Sequence, residues 1–217
     1  MKSGFSTVGS SGAVVMRSAN AGLSGVSGHI VLSSGTASTG NSGAVYVGSG
    51  TASSGRGGTV YISVGSGNSG SGGELIQSAG TSSFSTGGRV SVVTGYSTLS
   101  SSGALQLQTA NAGLSGVSGI IVLSTGSSST GNSGAVYVGS GTASSGRGGT
   151  VYISVGSGNS GSGGELFLSA GSQTTGTGTT GGLVSILSGY SAEASSGSVR
   201  LMTMNAGKSG VSGHLIL

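Results

Sequence analysis

Cysteine, proline, tryptophan and aspartate are all missing from this 217-residue chain. Without cysteine there is neither a disulfide framework nor a thiolate zinc site. Without proline a collagen triple helix is excluded, since it needs abundant proline as well as glycine at every third position. Without aspartate no Ser-His-Asp triad can be assembled and no calcium-binding GGxGxD repeat can be written. Charged residues make up 5% and aromatics 4%, whereas an ordinary globular domain carries about 25% charged residues. No apolar run reaches the ~18 residues that a membrane helix requires. The start, Met1-Lys2-Ser3-Gly4-Phe5-Ser6, lacks the apolar stretch of a secretory signal. The chain therefore either does not use that route or is a mature segment.

What is present is glycine, at 50 residues, together with abundant serine and threonine. Glycine costs about 1 kcal/mol per helical position relative to alanine, so a helical domain is not expected. Low-complexity disorder is the default for such a composition. Two facts argue for packing instead: the apolar fraction is 34% with a mean hydropathy of +0.27, and the apolar residues are regularly spaced. The net charge of +4 comes from Lys2, Arg17, Arg56, Arg89, Arg147, Arg200 and Lys208 against Glu74, Glu165 and Glu193. Scattered in this way, the cations suit solubility or weak attraction to anionic polymers more than a nucleic-acid face.

The spacing is that of a repeat. One glycine column runs through Gly12, Gly28, Gly43, Gly58, Gly73, Gly88 and on to Gly213, with steps of 15 in most cases, 16 at the AGLSGVSG-type segments and 18 once. Two residues after each glycine stands an aliphatic, among them Val14, Ile30, Val45, Val60, Leu75, Val136, Val151 and Leu166. Two further on comes a second aliphatic, with Gln77 the one departure. Apolar side chains at i and i+2 share one face of a strand. A unit this small cannot cover its own face, so neighbours must be stacked on it. The pattern predicts an all-β fold: a parallel β-solenoid, or β-helix, of about 14 coils of about 15 residues. The aliphatic columns form its core ladder. A longer period lies above the coil, because Ser42 to Leu75 recurs residue for residue as Ser133 to Leu166, 91 positions later. Six coils form one super-repeat, giving blocks at about 11–101, 102–195 and a partial 196–217 within a single continuous solenoid. The one insertion is Gln173 to Thr180.

The residue between the two aliphatics points the other way. That row includes Val31, Tyr46, Tyr61 and Ile76, then Val122, Tyr137, Tyr152 and Phe167. It either stacks from coil to coil, stabilising neighbouring strands, or forms a lateral apolar stripe that packs on another molecule. The two readings are compatible. On the return side serine and threonine dominate, as in Ser34-Gly35-Thr36-Ala37-Ser38. Short hydroxyl residues fit turns; a flat hydroxyl array is also a way to order water and bind ice.

Other motifs carry little chemistry. Gly65 to Gly70 and Gly156 to Gly161 match GxGxxG, but no helix follows and no acid lies at the ribose distance. Gly207-Lys208-Ser209 ends like a phosphate loop but lacks its first glycine, that position being Met202. His29 and His214 are too far apart in sequence for a metal cluster, and the three glutamates are too dispersed for a glycosidase pair. No enzyme activity, cofactor or metal is expected. At the ends, the ten residues 1–10 and the six residues 212–217 add up to one 16-residue coil, the length of Ser11 to Val26. Phe5, Val8, His214, Leu215 and Leu217 would then form a head-to-tail joint between successive chains, and an unclosed joint of that kind makes a filament. The alternative is that the sequence is cut from a longer array.

The stretch SGAVYVGSGTASSGRGGTVYISVGSGNSGSGGEL and the AGLSGVSG segment resemble the long Gly/Ser-rich tandem-repeat proteins of diatoms and other algae. The resemblance spans nearly the whole chain, although many such proteins carry more aspartate. It implies an extracellular or cell-surface role and supplies no catalytic residue. Together these readings predict a structural filament subunit. Its partner is itself, head to tail and laterally, with O-linked glycan or polysaccharide as a further candidate and with no nucleic acid and no membrane span. The rival from another class is an ice- or surface-binding module using the Ser/Thr face; an adhesin or viral fibre shaft is a third.

Overall fold

A computed structural model describes residues 2–174 and 180–216. Among them there is no helix and no β-strand, so the chain is not the all-β parallel solenoid that the spacing predicts, and the names β-solenoid and β-helix do not apply to it. No described residue is buried, so the aliphatic columns do not close into a core ladder. The chain exposes 21646 Å². A folded monomer of 20.1 kDa would expose about 8,700 Å² and its unfolded chain about 29,000 Å². The physical reason lies in the composition. Each coil offers two aliphatic side chains, worth about 1.5–3 kcal/mol apiece when fully covered. Against this stands an ordering cost of about 1–2 kcal/mol for every backbone residue, and glycine loses more freedom than any other residue.

The repeat nevertheless governs the backbone. The chain divides into two units, Met1–Leu107 and Gln108–Leu217. In the first, it bends at 7–9, 23–25, 38–40, 53–55, 68–70, 83–85 and 98–100. In the second, it bends or turns at 114–115, 129–131, 144–146, 159–162, 192–194 and 208–209. The bend that the register places in the inserted segment Gln173 to Thr180 falls largely on 175–179, which lie outside the described residues. Each bend sits just ahead of a member of the glycine column, so each repeat is a loop that turns back on itself. Gly70 and Gly161, 91 positions apart in the duplicated blocks, close their bends at φ of 81° and 78°, a conformation that a side chain would strain.

At the neck of each loop the glycine column meets the residue that ends the extended apolar segment. In five loops a backbone hydrogen bond ties this neck. The amides of Gly12, Gly88, Gly103, Gly182 and Gly197 donate to the carbonyls of Gly4, Gly80, Gly95, Gly171 and Gly189 at 2.8–3.0 Å. In others the approach is side chain on Cα. A Cβ added to Gly58 would lie 3.2 Å from the Ser49 Cβ, and one added to Gly149 would lie 3.2 Å from the Ser140 Cβ. The tightest necks are at Gly73 and Gly164, where a Cβ would come within 2.6 Å of Cγ1 of Val64 and of Val155. The glycine column is thus explained by close approach within a coil rather than by stacking between coils.

Two outcomes follow. Far-UV circular dichroism of the dilute chain will show neither a helical nor a strand band. Gly73→Ala will shift the NMR resonances of the Val64 methyls and of the surrounding neck, and Val64→Ala added to it will return the remaining neck resonances toward their original positions. Gly72→Ala, where nothing lies within 4 Å of the added Cβ, will leave Val64 unmoved.

Candidate self-association surface

The alternation read from the sequence survives as a difference in exposure. Val14, Ile30, Val45, Val60, Leu75, Val136, Val151 and Leu166 belong to a column that is 46–63% exposed throughout. The intervening Val31, Tyr46, Tyr61, Ile76, Val122, Tyr137, Tyr152 and Phe167 are 73–94% exposed. The first set is about half exposed, and the second is more exposed at every position. Val64 and Val155, at the necks, are as sheltered as the best-covered members of the first column. They escaped the sequence reading because most loops carry Ser, Thr or Ala at that place. The signal was available: the neck residue continues the i, i+2 series by one more step.

The two identical blocks also adopt the same local state, each in its own unit. Val45 and Val136 have the same exposure, Tyr46 and Tyr137 differ by one percentage point, and so do Tyr61 and Tyr152. Equal sequence therefore produces two equal apolar surfaces. Each is made of half-open aliphatics bordered by outward tyrosines, and Arg56 or Arg147 lies on the bend side of the same loop.

The hydroxyl residues show a further regularity. Ser6, Ser82, Ser97, Ser128 and Ser191 each stand six positions before the glycine column. Each Oγ accepts a hydrogen bond from a backbone amide of its own bend: Gly9 at 2.8 Å, Ser85 at 3.0 Å, Ser100 at 2.9 Å, Gly131 at 3.0 Å and Ala194 at 3.0 Å. Ser6 and Ser97 accept a second amide, from Val8 and Leu99, at 3.3 Å. The Thr125 hydroxyl donates across its neck to the Gly134 carbonyl at 3.2 Å. These are Ser/Thr turns, in which a short hydroxyl replaces a backbone acceptor. Where the same column holds Ala37, Ala52 or glycine, the bend forms without this bond.

Of the residues assigned to a head-to-tail joint, Phe5 and Val8 in the first unit are exposed, Val8 lying on the first bend. His214 and Leu215 in the second unit are exposed as well, and Leu217 lies outside the described residues. Among the described residues there is no cavity and no group of three or more potential metal ligands. No helix is long and apolar enough to cross a membrane. The chain matches no protein-family model, no curated protein and no solved structure.

The serine column makes a paired prediction. Ser128→Ala will speed amide hydrogen exchange at Gly131 by about two- to fivefold, the exposed end of the range for one hydrogen bond. Ala37→Ser, at the matching position in the other block, will slow exchange at Gly40 by a similar factor. No change at either amide would show that the hydroxyls do not hold the bends.

Proposed function

We propose that the protein is a structural subunit without catalytic chemistry of its own. It associates with further copies of itself, side by side and end over end, into a fibre of the cell surface or extracellular space. The observation that carries this reading is the aliphatic column that stays about half exposed in every loop, with no buried residue among those described. Exposed apolar surface that is contiguous marks a contact site, and here a half-exposed aliphatic recurs at each described repeat. Each loop leaves its aliphatic about half exposed, and that exposed part is available to a partner. Every coil offers the same open column, so a second copy can be met anywhere along its length. The motifs shared with algal Gly/Ser-rich repeat proteins support the extracellular setting. Hydroxyls engaged in bends support a local role for the serines in place of an ice-binding array.

Sedimentation velocity and negative-stain microscopy across a concentration series test this. The expected result is large species and fibres above a threshold concentration, with no thermal hysteresis at any concentration. The combined variant Val45→Thr, Val60→Thr, Val136→Thr and Val151→Thr keeps shape but adds a hydroxyl at each open contact. It should raise the threshold about tenfold or more, given ~0.8 kcal/mol for each methyl-sized group covered. A chain that remains monomeric at high concentration, or a variant that assembles as well as the parent, would refute the proposal.

A further inference from the structure

We infer that Tyr46, Tyr61, Tyr137 and Tyr152 are sites of oxidative cross-linking between copies of this chain, through coupling of their phenol rings ortho to the hydroxyls. The inference rests on the self-association reading and adds a covalent chemistry to it. Each of the four rings is 87–94% exposed. Each stands between two aliphatics of the open surface: Tyr46 between Val45 and Val47, Tyr61 between Val60 and Ile62, and likewise in the second block. The two members of a pair are 15 positions apart, one repeat, and the pair itself recurs after 91. Beyond these neighbours, their surroundings are mostly glycine, serine, threonine and alanine, which leave the rings open to another molecule. The two remaining tyrosines, Tyr96 and Tyr190, lie elsewhere. Each immediately precedes a serine that holds a bend, Ser97 or Ser191.

The chain offers little else for joining copies covalently. It has no cysteine for a disulfide, and its lysines are Lys2 and Lys208 alone. The phenol is the repeated group on this surface that oxidation can couple to its like; the exposed methionines, such as Met16, oxidise without forming a link. The reaction needs an oxidant, for which hydrogen peroxide acting through a haem peroxidase is sufficient. Each of two phenols gives up one electron and one proton to become a tyrosyl radical. The radicals join by a carbon–carbon bond between ortho carbons. The hydrogen on each of those carbons then moves to the neighbouring oxygen, restoring both phenols. Two tyrosines have lost one hydrogen each, and one peroxide has been reduced to two waters. Coupling requires two rings to meet within the radical lifetime. Copies held together along like surfaces raise the local concentration of partner rings far above that in dilute solution.

The test uses the full chain, with its state of association measured by sedimentation before hydrogen peroxide and a haem peroxidase are added. The expected products are denaturant-resistant dimers and higher species with dityrosine fluorescence. Peptide mapping by mass spectrometry should place the links on the four stripe tyrosines. Replacing all four with phenylalanine, compared at an equal degree of association, should lower the interchain yield about tenfold or more. Tyr96→Phe with Tyr190→Phe should leave the yield as it was. Links spread evenly over all six tyrosines, links dominated by Tyr96 and Tyr190, or dityrosine confined to single chains would overturn the inference while leaving self-association standing. A chain that is monomeric before oxidation would remove both.

Discussion

At the neck of each loop a glycine lies against the residue nine to twelve positions earlier, and the rest of the local structure depends on that close crossing. It brings the start and the end of the loop together in a space that a Cβ would fill, as at Gly73 beside Val64 and Gly164 beside Val155. Where the backbones come close enough, an amide of the glycine column bonds the carbonyl across the neck, as Gly88 does to Gly80. The bend must then fall between the two, and serine at one fixed column supplies an acceptor for its amides. One steric condition thus accounts for the glycine column and the placement of the bends.

The same condition limits what a single chain can do. Among the described residues none is buried, and the aliphatic column stays about half exposed. Ordering so glycine-rich a backbone is expensive, and the apolar surface that would offset it is thin. Under the proposed function the missing cover comes from a second copy, because each coil presents the same half-exposed column. The duplicated blocks repeat the same pattern of exposure, each in its own unit.

Charge contributes little to this picture. Ten lysine, arginine and glutamate residues in 217 leave long stretches without charge. The tyrosines are the exception to chemical plainness. Four of six lie on the apolar stripe, at positions where the repeat elsewhere carries Val, Ile or Phe in some coils and Ser, Gln or Arg in others. An outward valine would serve packing equally well; a phenol adds a group that can be oxidised and joined.

The 15-residue period, the duplicated blocks and the glycine column were all legible in the amino-acid sequence. Alternation at i and i+2 says which side chains share a side wherever the backbone is extended. The necks at Val64 and Val155 and the serine column at Ser6, Ser82, Ser97, Ser128 and Ser191 were also written there. They were hidden because their partners lie within the same coil and not in the adjacent one. Whether successive coils pair their backbones was not legible. Periodicity sets side-chain direction, whereas a ladder forms only if amides and carbonyls of neighbouring coils come within bonding distance. That outcome turns on the balance between the ordering cost of a glycine-rich chain and the small apolar surface each coil can cover. Only the tertiary structure decided it, in favour of separate loops, each closed on itself and open at its apolar face.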